Sequence, residues 1–88
     1  MKLKIKEYTE KEIEVKNPSY YINHTTFTRI TNKGVYKVYK DSIFFTASTD
    51  NFYTSEVLQA MKGKEVSDID FLNAWDNTIS KLSELLVL

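Results

Sequence analysis

The sequence predicts an α+β fold in which an antiparallel meander sheet of four to five strands precedes a short helix and a longer C-terminal helix packed on one sheet face. Apolar residues recur with period 2 up to about Ala47 and with helical period from about Ser55 onward. The breaks between apolar runs are short, which favours antiparallel neighbours. Eighty-eight residues, 42% of them hydrophobic, supply one core and not two, so residues 1–88 are expected to form a single domain. A chain of this size buries only about 60 to 65% of its unfolded surface, so a partner adds usefully to its stability.

The first strands come from Leu3 and Ile5 alternating with Lys2, Lys4 and Lys6, and from Ile13 and Val15 alternating with Glu12, Glu14 and Lys16. A turn near Thr9-Glu10-Lys11 pairs them as a hairpin whose lysines face glutamates across the strands, a solvated face. Asn17-Pro18-Ser19 interrupts the pairing, because proline has no amide to donate. A β-rich run follows from Tyr20 to Thr31, with His24 inside it as a strand residue. Asn32-Lys33-Gly34 reads as a hairpin turn with glycine available for a positive φ, Val35 to Lys40 returns, and Lys40-Asp41-Ser42 turns into Ile43 to Ala47.

After the polar cluster Ser48 to Asn51, Ser55 is the expected N-cap of a short helix ending at Met61-Lys62, with Gly63 as its left-handed terminator. Ser67 and Asp70 form a near capping box for the last helix, and Asp68 and Asp70 suit its positive end. Within that helix Leu72, Trp75, Ile79, Leu82 and Leu86 recur at alternating spacings of three and four and form the expected sheet-facing stripe, flanked by Phe71, Thr78 and Leu85. Trp75 reads as a core residue.

Composition removes several chemistries. The chain has no cysteine and one histidine, which excludes a disulfide framework, thiolate metal sites and cysteine nucleophiles, and suits a reducing cytosol. Gly34 and Gly63 stand too far apart for a P-loop or a dinucleotide fingerprint. Asp68 and Asp70 point to different sides of a helix and read as capping groups, not as a metal or acid–base pair. No catalytic residue, metal site or cofactor is therefore expected. The charged start lacks the apolar run of a signal peptide, and the terminal Leu85-Leu86-Val87-Leu88 is far short of a membrane span, so the expected location is the cytoplasm with no membrane partner.

Twelve basic and twelve acidic side chains cancel, yet unevenly. Met1 to Phe44 carries nine basic and five acidic groups, net +4, whereas Phe45 to Leu88 carries three and seven, net −4. The acidic helix face, Asp76 included, can steer the domain to a basic partner. Lys33 to Lys40 interleaves lysines with Tyr36 and Tyr39, as single-strand binders do, although only Lys33, Gly34 and Val38 agree with the RNP1 pattern.

Both sets of alternate positions in the sheet are apolar, so one set is left over once helices cover the other. That outer set is expected to comprise Tyr21, Phe27, Arg29, Val35, Lys37, Tyr39 and Phe44, an aromatic patch edged by cations as in protein interfaces. Coverage by the short helix or by the N-terminal hairpin is the alternative.

Lys11-Glu12-Ile13-Glu14-Val15 and Lys62 to Phe71, leading into Ala74, resemble segments of small proteins from phages and mobile elements of Bacteroidota-type bacteria. The resemblance spans about a third of the chain, consists of capping and core residues, and implies no catalytic group. It implies a phage or mobile-element accessory factor acting in the host cytoplasm, an anti-CRISPR-like, anti-defence inhibitor that binds a host protein at its surface. The expected function is thus non-enzymatic protein binding. The alternatives are a single-stranded nucleic-acid binder using Tyr36, Lys37, Tyr39 and Lys40, and a structural homodimer closed by sheet edges or the Leu85 to Leu88 tail.

Overall fold

Among the described residues seven strands and two helices follow one another as β1 (Lys2–Lys6), β2 (Glu10–Glu14), β3 (Ser19–Asn23), β4 (Thr26–Ile30), β5 (Gly34–Tyr39), β6 (Ser42–Ala47), α1 (Tyr53–Met61), β7 (Lys64–Glu65) and α2 (Asp68–Val87). The computed structural model describes residues 1–6 and 10–87, with the side chains of residues 6 and 87 outside that description. The fold is α+β, as the change of period predicts: a five-stranded antiparallel sheet in the order β6-β5-β4-β3-β7, with a short and a long helix.

The N-terminal strands form a hairpin of their own, apart from the main sheet. Its register sets Lys2 opposite Glu14 and Lys4 opposite Glu12, so the charges alternate across the pair as expected. The expected turn is displaced. Glu10 and Lys11 already lie in β2, and Thr9 falls outside the described residues.

The run from Tyr20 to Thr31, expected as one strand, is two. β3 and β4 pair from Ser19 with Ile30 to Asn23 with Thr26, which leaves His24 and Thr25 as a two-residue connection. His24 adopts φ 56° and is exposed, a turn residue and not a strand residue. Lys40, in the connection to β6, adopts φ 53° in the same way. Neither turn carries the Gly or Asn at its left-handed position that marks such turns in a sequence.

The turn from β4 to β5 works through Thr31. Its Oγ1 accepts from the amides of Lys33 at 3.1 Å and Gly34 at 3.2 Å. Gly34 has no positive φ, contrary to the sequence expectation; a Cβ there would overlap the Phe45 ring and lie 2.7 Å from the Thr46 carbonyl oxygen. Gly63 also has no positive φ. It is required because a Cβ would overlap the Ile22 carbonyl oxygen and lie 2.8 Å from the Asn23 Cα where the chain leaves α1 for the edge of β3.

Register partners share a face, which places Tyr21, Thr28, Lys37 and Phe44 on one side and Tyr20, Arg29, Tyr36 and Phe45 on the other. Against the first face pack α1 and the hairpin. Val15, Ile30, Val35, Tyr53, Val57 and Ala60 form the core there, with Met1, Leu3, Ile13, Tyr21 and Met61 around it. The Tyr53 hydroxyl donates to the Thr31 carbonyl at 2.7 Å, tying the start of α1 to the end of β4. That start lies two residues before Ser55: Phe52 occupies the cap position, and Asp50 Oδ1 accepts from its amide at 2.8 Å.

Against the second face packs α2. Its capping box forms as the spacing predicts, with the Asp70 amide donating to Ser67 Oγ at 3.2 Å and the Ser67 amide to Asp70 Oδ2 at 3.4 Å. The inward line, however, is rotated from the predicted stripe. Phe71 and Thr78 are buried and Ala74, Trp75 and Leu82 half-buried, whereas Leu72, Ile79 and Leu86 are exposed. Phe71 packs tilted against Tyr20 with 5.7 Å between centroids, and Thr78 Oγ1 donates to the Lys40 carbonyl at 3.4 Å. These two anchors set the helix rotation.

Candidate functional site: an open sheet edge flanked by aromatic rings

The two faces are covered from opposite directions, and the coverage thins toward β6, where both helices make contact but the rings of Phe44 and Phe45 stay about half exposed. On the first face Glu56 of α1 is ion-paired with Lys37 of β5. Beyond it Tyr39 and Phe44 stand 40% and 49% exposed, lining with Thr26 and Lys37 an open groove of about 270 Å³. The Lys37 ammonium lies 5.8 Å from the Phe44 ring and that of Lys40 5.3 Å from the Tyr39 ring, so cations rim the groove. On the second face Phe45 is 54% exposed and packs on Tyr36 with 4.7 Å between centroids.

Between these rings runs the outer edge of β6, which pairs only with β5 among the described strands. Its sequence, Ser-Ile-Phe-Phe-Thr-Ala, holds no charge and no proline. Proteins normally blunt such an edge with lysine, proline or a very short strand. The opposite edge follows that rule, since β7 has two residues and both are charged. Six unblunted residues with a ring on each face are suited to receive another extended chain.

Three of the residues expected in the outer patch come together here: Lys37, Tyr39 and Phe44. The others do not. Val35 is fully buried beneath α1 and the hairpin, and Tyr21 packs half-buried against the same core, because those two elements cover the face the patch was assigned to. Phe27 and Arg29 belong to the opposite face by register. Phe27 lies beside Ala74 and Thr78 of α2, and Arg29 beside Tyr36. Asp76 stands exposed on α2 and lines none of these cavities. Phe45 is absent from the expected set. Its signal was the unbroken Ile43-Phe44-Phe45 run, which on a strand forces one ring to each side.

The lysines and tyrosines of the Lys33 to Lys40 segment do not form one stacking platform. Tyr36 faces α2, whereas Lys37 and Tyr39 lie on the α1 side, with Lys37 engaged by Glu56. Among the described residues no three His, Cys, Asp or Glu side chains gather in a group that could hold a metal, and no helix is long and apolar enough to cross a membrane. Compared with protein-family models, with curated proteins and with solved structures, the chain matches none.

Proposed function

We propose that this chain is a non-enzymatic binding protein that accepts an extended segment of a partner protein along the open edge of β6. Backbone groups of the edge supply the pairing, while Phe44 with Tyr39 on one side and Phe45 on the other take alternate side chains of the added strand. The observation that carries this reading is the six-residue, uncharged, proline-free edge with two rings about half exposed on opposite sides. The resemblance to phage and mobile-element accessory proteins supports a host defence protein as the partner, inhibited in the anti-CRISPR manner by occupation of its surface.

The test is comparative capture from a lysate of a Bacteroidota-type host with three baits: the native chain, Phe44→Lys, and Ser80→Lys on the exposed side of α2. A lysine on the edge strand is the ordinary protection against added strands. The expected result is one protein held by the native chain and by Ser80→Lys and lost with Phe44→Lys. Equal capture by all three baits, or capture by none, contradicts the proposal. A doubled mass in light scattering that Phe44→Lys abolishes would instead make a second copy the occupant of the edge.

A further inference from the structure

Under α2, away from the edge, a cavity of about 280 Å³ opens between helix and sheet, lined by Tyr20, Arg29, Tyr36, Phe71, Leu72 and Trp75. Five of its six walls are apolar or aromatic, and Trp75 meets Tyr36 edge-on with 6.3 Å between centroids. Arg29 is the exception. It is half-buried, donates through Nε to the Tyr20 hydroxyl at 3.3 Å, and places its guanidinium carbon 5.5 Å from the Tyr36 ring centre. Among the described residues it makes no ion pair with a carboxylate, and no hydrogen bond from its two terminal nitrogens is present.

A guanidinium offers five donors in a planar fork, and here only one is used. A partly desolvated cation without a counter-charge is costly, and the group that best relieves the cost is a carboxylate gripped by the two free ends of the fork. The cavity lies just below the usual range for small-molecule sites, roughly 300 to 1,000 Å³, with room for a ring and little more. Its aromatic walls favour a flat apolar body. No lysine and no second arginine lines it, so the single positive charge balances a monoanion and leaves a phosphate dianion under-neutralised.

We infer that this cavity binds an aryl carboxylate, with the carboxylate on Arg29 and the ring between Trp75, Phe71 and Tyr36. The inference does not rest on the β6 edge, although Tyr36 of the cavity wall packs on Phe45 of that edge. The same chemistry is carried by a free aryl acid and by an aromatic residue at the carboxy terminus of another chain.

Trp75 is the only tryptophan, so its emission reports directly on the cavity. Titration with phenylacetate is expected to give a saturable change in that emission. Phenylacetamide, which has the same ring and no charge, is expected to bind at least about tenfold more weakly, as is phenylacetate to Arg29→Gln, tenfold being the loss of about 1.4 kcal/mol. Leu72→Glu, at an exposed position on the rim, sets a like charge at the entrance and gives a second measure should Arg29→Gln fail to fold. Tighter binding of N-acetylphenylalanine than of phenylacetate would assign the ligand to a chain terminus, and the reverse order to a free acid. No saturable change, equal binding of the amide, or affinity untouched by both substitutions overturns the inference.

Discussion

Tyr53 holds α1, the sheet and the hairpin together through one buried side chain. Its ring belongs to the core and its hydroxyl donates to the Thr31 carbonyl at 2.7 Å. Tyr53→Phe is expected to cost about 1 kcal/mol, the usual net worth of such a bond, read as a lower denaturant midpoint. Burial also pushes the Tyr53 phenol above its ordinary value of 10.0. The folded chain therefore keeps that proton at a pH where the unfolded chain has lost it, so stability falls as pH rises above the unfolded value toward the folded one. A denaturation series across that alkaline range should show the decline in the native chain and a smaller one in Tyr53→Phe. Gly63→Ala should cost about 1 to 3 kcal/mol, because the added carbon collides with backbone of β3 that cannot yield as a side-chain end can. The sequence marked both glycines as special but for the wrong reason. Glycine is needed wherever two chains pass closely as well as where φ is positive, and only the folded neighbours distinguish the two needs.

Among elements, α2 divides into a packed line and a free flank. Phe71 is 3% exposed and Leu86 is 88% exposed, although the predicted stripe contained Leu86 and left Phe71 at its border. Phe71→Ala is expected to cost about 3 to 5 kcal/mol, and Leu86→Lys should leave the thermal midpoint essentially unchanged. Ser67→Ala should cost about 1 kcal/mol by removing one half of the capping box. The box itself was legible because capping depends on neighbours in sequence. Helix rotation was not, because a wide apolar arc admits several docking angles and the anchors that choose one, Tyr20 and the Lys40 carbonyl, lie far away in the chain. The turn at His24-Thr25 escaped for a related reason. His24, between Asn23 and Thr25, takes the left-handed conformation itself without Asn or Gly at that position, so the bend carries no mark of its own in the β-rich run.

For the molecule as a whole, period and spacing were enough to read the α+β class, the meander and the two helices, while the distribution of covers over the sheet was not. The expected free face is occupied by α1 and the hairpin, which leaves the β6 edge and its rings as the opening on that side. Sequence alone could not select it, since whether a strand is central or at an edge depends on the order of strands and not on any one of them. The molecule is elongated, 52 Å against 24 and 20 Å, and α2 alone accounts for 20 residues, about 30 Å of helix.

The most direct measurement is amide hydrogen exchange of residues 42–47 in the free chain and in its complex with the captured partner. An added strand predicts slowed exchange concentrated in β6, with the backbone of the N-terminal hairpin unaltered. Slowing confined to the hairpin, α1 or the outer flank of α2, with β6 exchanging as in the free chain, would contradict the account.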